Sequence, residues 1–270
     1  MLAVWRAQKK PVAAEEWRLR EELACAHWIT NHYGMDDVSA AGGLAPDPLT
    51  PLPAVPPPAP LTSTPTPVWA QLVWNHISCR VGDKTLITPG GVLFDEVTPE
   101  NLVMDSSNIT ANVIHDAVYA ARPDVSAVVH LHTEASVAVS CLEQGFMCLD
   151  QNSAQFYGDM VACHEYEGLS TELSEQAQIA RDLGDTACVL LMRNHGFCTT
   201  GSTIGQAWVR AWYFEKCCRL QLDCLQTGAA IHMPPTTAME KAKPLYNDIF
   251  KAGRYEWPAI MRKWRKATGS

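Results

Sequence analysis

The sequence predicts an α/β domain layered around one mixed sheet. Short apolar runs rich in β-branched residues, such as SAVVHLHT at 126–133, alternate with longer stretches at helical spacing. The links between them are of two kinds, tight turns (Gly82-Asp83, Asn194 to Gly196) and whole helices. A strict βαβαβ succession would alternate more regularly, so the sheet should be mixed.

Taken in order, residues 14–33 place Leu19, Leu23, Ala26 and Ile29 at helical spacing, with acids in the first turn and Gly34 as a stop. LVWNHISCRV (72–81) and TLITPGGVLFDEVTP (85–99) read as short strands broken at Gly82-Asp83 and at Pro89-Gly90-Gly91. A helix is expected over 112–124, ending near Pro123, then a buried strand at 126–133 and a helix at 133–145. Strand pieces are predicted at 147–149 and 160–163, and a helix at 171–183. Residues 187–200 read as strand, turn and strand; a long helix covers 203–227, and a helical region follows Pro244.

Ten of the 18 prolines fall in the 22 residues 46–67, a stretch that cannot be regular helix or central strand. It favours extended polyproline conformation and reads as a surface excursion, with a ligand for a proline-recognising domain as the alternative. The predicted organisation is an N-terminal extension (1–13), one domain (14–230) interrupted at 46–67, and a C-terminal helical tail (231–270) packed on the domain or a neighbouring subunit.

The charge balance, 21 basic against 29 acidic residues, gives −8 and argues against bulk nucleic-acid binding. The basic tail (Lys251, Arg254, Arg262, Lys263, Arg265, Lys266) also carries Tyr255, Trp257 and Trp264, and is expected to dock through an aromatic face. No apolar run reaches the length of a membrane span. Residues 1–11 lack the long apolar stretch of a secretory signal. The ten cysteines mostly sit in apolar runs, so reduced thiols and a cytoplasmic location are expected.

The chemistry-bearing residues are histidines. His130 and His132, two apart at the end of a strand, project from one face and can reach one ion. His195 follows another buried strand in LLMRNHG, where Gly196 would let the backbone turn and aim the ring. Three neutral imidazoles suit zinc, iron, cobalt or manganese and leave coordination positions open.

RPDVSAVVHLHT, with LLMRNHG some sixty residues later, resembles the class II aldolase/adducin head-domain family, and the likeness runs from the opening helix through WNHISCR and ITPGGVLFDE to the helix at 203–227. The resemblance implies a three-layer α/β/α fold with a central mixed, largely antiparallel sheet, and a homotetramer with the site between subunits. It makes His130, His132 and His195 the ligands of a divalent metal, zinc first. Asn75, His76 and Ser78, with Gly90 and Gly91, would form the substrate's anion pocket. Family enzymes cleave or epimerise sugar phosphates and related hydroxycarbonyl compounds.

The family's aldolases also carry a glutamate base nineteen residues before the first metal histidine, preceded by two serines. Those positions hold Ala111, Ile109 and Thr110 here, so neither base nor phosphate site carries over. The tyrosine acid has no match; Gln151 stands near its position, with Tyr157 close by. Glu134, His115 and Tyr157 are the candidate replacements, and Asp116 is also near. The function expected is a metal-dependent lyase, decarboxylase or epimerase on a small hydroxycarbonyl or hydroxy-acid substrate. One alternative is a non-catalytic adducin-like module contacting actin or other proteins, and another is an iron-dependent oxygenase.

Overall fold

A computed structural model describes residues 12–36, 73–104 and 106–269. The expectations for 1–11 and for the proline-rich segment 46–67 lie outside the described residues. Helix α1 (Ala14–His32) carries Glu15 and Glu16 in its first turn and gives way to Gly34 at φ +61°. Strands β1 (His76–Val81) and β2 (Lys84–Ile87) form a hairpin through Gly82, followed by the short β3 (Val103–Met104). The chain continues through α2 (Ile109–Ala121), β4 (Ala127–Leu131), α3 (Glu134–Ser140), β5 (Val161–His164) and α4 (Leu173–Leu183). Then come β6 (Val189–Met192), β7 (Gly196–Gly201), α5 (Ile204–Gln226), α6 (Thr236–Asn247) and α7 (Glu256–Thr268).

The seven strands make one sheet in the order β3-β2-β1-β4-β7-β6-β5. Every neighbouring pair is antiparallel except β5 with β6. Alternation along the strands sorts the side chains into two cores. Ala127, Val129, Leu131, Leu191 and Phe197 pack with α1, α5 and α7, whereas Val128, Leu190, Met192 and Cys198 pack with α2 and α4. The result is the expected three-layer arrangement, helices on both faces of a mixed, largely antiparallel sheet. Burying each such Leu or Phe side chain is worth about 1.5–3 kcal/mol, so both faces contribute to stability.

In the tail, Trp257, Met261 and Trp264 are buried in the core shared with α1 and α5, while Tyr255 stays exposed. A Cβ on Gly205 would lie 2.2 Å from Cγ of Trp257, so the indole seats against bare backbone of α5. Six of the ten cysteines are buried, and burial raises their thiol pKa values, that of Cys79 to about 12. Among the described residues, no helix is long and apolar enough to cross a membrane.

Three local expectations are corrected. Residues 147–149 form no strand; Met147 N–H donates instead to the buried Gln221 side chain (2.7 Å), whose Nε2 donates to the Gly145 carbonyl. A side-chain amide of α5 thus satisfies backbone that a strand neighbour would otherwise satisfy. The apolar run after Gly91 is a 3₁₀ turn (Phe94–Glu96), closed by Leu93 N–H donating to the Glu96 carboxylate and by the Asn101 side chain bridging Thr98 N–H and the Glu96 carbonyl. The helix expected after Pro244 begins earlier: α6 starts behind Pro235, and Pro244 lies inside it.

Candidate functional site

The register of the three central strands builds the site. His76 on β1 stands opposite His130 on β4, and His130 stands opposite Cys198 on β7, so the three form a row across the sheet on the α2/α4 face. The His76 and His130 rings stack with centroids 4.7 Å apart, inclined by 28°. His132 follows β4 by one residue and has the same parity as His130. His195 arrives from the turn before β7, where Asn194 takes φ +56°, a left-handed conformation that asparagine tolerates.

These placements converge three ring nitrogens. His132 Nε2 lies 2.8 Å from His130 Nε2 and 3.0 Å from His195 Nε2. Candidate ligand atoms of all three residues fall within 4.8 Å of one another. The tautomer of His130 follows from its other nitrogen: Nδ1 faces the Phe197 carbonyl at 3.1 Å, and a carbonyl only accepts, so Nδ1–H donates and the neutral ring keeps its lone pair on Nε2. Burial, followed by the neighbouring imidazoles, holds the His130 pKa well below the usual histidine range. A neutral imidazole has one N–H, so His132 Nε2 cannot donate to both neighbours, whereas one shared cation satisfies all three nitrogens. This donor set fits a divalent metal with open positions.

The surroundings fix the rings. A Cβ on Gly196 would meet the Leu131 carbonyl at 2.5 Å and His132 Cδ2 at 2.9 Å. Gly196 is therefore needed for close approach between β7 and the end of β4, while the turn's left-handed residue is Asn194. His132 N–H donates to Asn75 Oδ1 (2.9 Å). Asn75 Nδ2 is buried without a hydrogen-bond partner among the described residues. Beyond His132, the Thr133 hydroxyl and Ser136 N–H donate to the carboxylate of Glu215 on α5, which holds the start of α3. Burial raises the Glu215 pKa. The Arg193 guanidinium donates to the Leu142 carbonyl, tying the turn before His195 to the end of α3.

Behind His76 runs a buried polar chain. Its Nδ1 lies 2.7 Å from His115 Nε2, His115 Nδ1 contacts the Ser78 hydroxyl, and Ser78 Oγ lies 2.7 Å from the Tyr119 hydroxyl. Burial lowers the His115 pKa to about 3 and raises that of Tyr119. His115 and Ser78 thus support His76 from behind the cavity.

A cavity of about 560 Å³ opens over the histidine cluster, lined by His76, His130, His132 and His195 together with Trp74, Asn108, Ile109, Thr110, Ile114, Asn194, Tyr166 and the run from Gly168 to Thr171. The sequence reading missed the loop, because 166–171 has no periodic pattern. Ala111 is buried in the first turn of α2 with Ile109 and Thr110 beside it. The replacement candidates do not line the cavity. The Glu134 carboxylate reaches Arg219 (3.3 Å) on the surface, Asp116 is on the exposed side of α2, and Tyr157 follows the short helical turn Asn152–Phe156. Gly90 and Gly91 sit in the turn after β2, where a Cβ on Gly90 would lie 3.1 Å from Ser107 Oγ, and they do not line the cavity either.

Comparisons with known proteins agree with this architecture. The sequence model of the Class II Aldolase and Adducin N-terminal domain matches residues 63–222. A protein of Pseudomonas aeruginosa named as a class 2 aldolase is 32% identical over 214 residues, covering 72% of this chain and 82% of that protein. Mouse alpha-adducin is 35% identical over 177 residues, 59% of this chain but 24% of adducin. An aldolase II superfamily structure from Pseudomonas syringae superposes with a TM-score of 0.77 at 29% identity, covering 95% of this chain and 96% of that one. L-fuculose 1-phosphate aldolase from Glaciozyma antarctica shares the fold, with a TM-score of 0.72 at 22% identity over 97% and 95% of the two chains. The chain belongs to the class II aldolase and adducin N-terminal domain family.

Proposed function

We propose that this chain is a divalent-metal-dependent lyase, decarboxylase or epimerase acting on a small hydroxycarbonyl or hydroxy-acid compound. The observation that carries this reading is the convergence of His130, His132 and His195 at the floor of a cavity. A non-catalytic scaffold has no chemical need for three nitrogens aimed at one point. Bound there, a divalent ion, zinc first, supplies Lewis-acid polarisation of the substrate's carbonyl and adjacent hydroxyl oxygens. The chain's own part is to present Nε2 of His130 through the Phe197 carbonyl and to hold His132 through Asn75 and Gly196. Beyond the three proposed ligands, His76 and Tyr166 are the titratable side chains lining the cavity among the described residues. They are the groups there that can hold a proton beside the substrate.

A second reading, an adducin-like interaction module, is favoured by the alanine at 111 and the likeness to alpha-adducin. The two are separated by following carbon-bound hydrogen exchange of hydroxycarbonyl compounds in heavy water, with and without chelator, alongside co-sedimentation with filamentous actin. Chelator-sensitive exchange that is lost in His132→Ala is expected. Metal-independent actin binding without exchange would favour the scaffold.

A further inference from the structure

The cavity over the histidine cluster has walls of one chemical character. Among the described residues, no lysine, arginine, aspartate or glutamate lines it. The first N–H groups of α2, the remaining source of positive potential, are partly taken: Asn108 Oδ1 accepts from both Thr110 N–H (3.1 Å) and the Thr110 hydroxyl (2.8 Å).

The apolar groups at the mouth are correspondingly large and uncovered. Trp74 is 56% exposed, Ile109 52%, Tyr166 55% and Leu169 79%, and all four line the same cavity. Exposed apolar side chains gathered around one concave site mark a surface that a ligand covers. Two of the four are aromatic, and a flat aromatic ring is a ligand chemistry that packs on such side chains.

We infer that the substrate is an aryl-substituted 2-hydroxy or 2-oxo acid, its acid end at the histidine cluster and its ring against Ile109, Trp74 and Tyr166, with no distal phosphate. The inference rests on the metal-site reading above. One negative charge, the carboxylate, would be balanced by the ion, and a second dianion at the far end would meet no cation among the described lining residues. Ile109 is the specificity-determining residue, since it presents a branched hydrocarbon at the entrance to α2.

Calorimetric titration of the zinc-loaded full chain with four 2-hydroxy acids tests this: lactate, 3-phenyllactate, glycerate and 3-phosphoglycerate. They share one chelating end and differ in the distal group. The expected result is 3-phenyllactate binding about tenfold or more tighter than lactate, as ring burial implies, and 3-phosphoglycerate no tighter than glycerate. Ile109→Ser and Trp74→Ala should each cut the phenyl preference several-fold at unchanged zinc content and oligomeric mass. Equal affinity for lactate and phenyllactate, a preference for the phosphate, or no binding of any acid at full zinc occupancy would overturn the inference while leaving the metal site standing. A change of oligomeric mass in Ile109→Ser with the preference intact would assign the apolar rim to a second copy of the chain, also overturning it. Zinc content well below one per chain would instead overturn the reading beneath it.

Discussion

At the residue scale, the position of His132 depends on a side chain that is absent. Gly196 lies so close to the Leu131 carbonyl and the His132 ring that a methyl group there must displace one of them. Gly196→Ala is expected to cost about 1–3 kcal/mol of stability by overpacking, measured as a shift in urea midpoint. Because the displaced group is a proposed ligand, metal affinity should fall about tenfold or more in a competition titration. Asn75→Ala removes the acceptor for His132 N–H and should weaken metal binding in the same direction with a smaller loss of stability. Unchanged affinity in both variants would mean that the histidine geometry is set elsewhere.

At the element scale, α2 is the part of the site that departs most from an aldolase reading. It begins at Ile109 under an Asn108 cap and carries Ile109, Thr110 and Ala111 in its first turn. Asn108→Ala should lower stability by about 1 kcal/mol, visible as a reduced melting temperature without loss of bound metal. The first turn was harder to read than the helix body. The apolar periodicity sets in at Val113, and Ser106, Ser107 and Asn108 each have the residue type of a cap, so the start was expected three residues late. Strands β4 and β6 were legible as short apolar runs buried on both faces, and β1 and β7 through the turn residues beside them. Residues 147–149 were not, because their partner is the Gln221 amide, more than seventy positions away. Of the site, the three convergent histidines were visible from the HxH pair and LLMRNHG. The His76 support through His115, Ser78 and Tyr119 depends on how α2 packs against β1, which no local pattern encodes.

At the scale of the whole molecule, several imidazoles are buried in neutral form, and this makes stability depend on pH. His27, away from the cavity, is the simplest case. Its Nδ1–H donates to the Leu23 carbonyl, its Nε2 accepts from Thr88, and burial lowers its pKa from 6.5 to about 4. Above pH 6.5 both folded and unfolded states are neutral at this group. As pH falls from 6.5 toward 4, the unfolded chain takes up a proton that the folded chain refuses, so stability is lost through that window. For His27 alone the loss between pH 7 and pH 5 is about 2 kcal/mol, and His115 adds in the same direction. Urea titrations of metal-free protein should show this decline, and a flat profile would contradict the buried neutral state. The metal-loaded protein should decline more steeply, because protonation of the histidine cluster competes with the ion.

The central claim, that His130, His132 and His195 hold one divalent ion, is tested most directly by metal content per chain in the purified protein after zinc loading and gel filtration. The expected result is one zinc per chain in the wild type and a loss to near zero in the triple alanine variant, with the fold intact by circular dichroism. A wild type that carries no more zinc than the folded triple variant would contradict it.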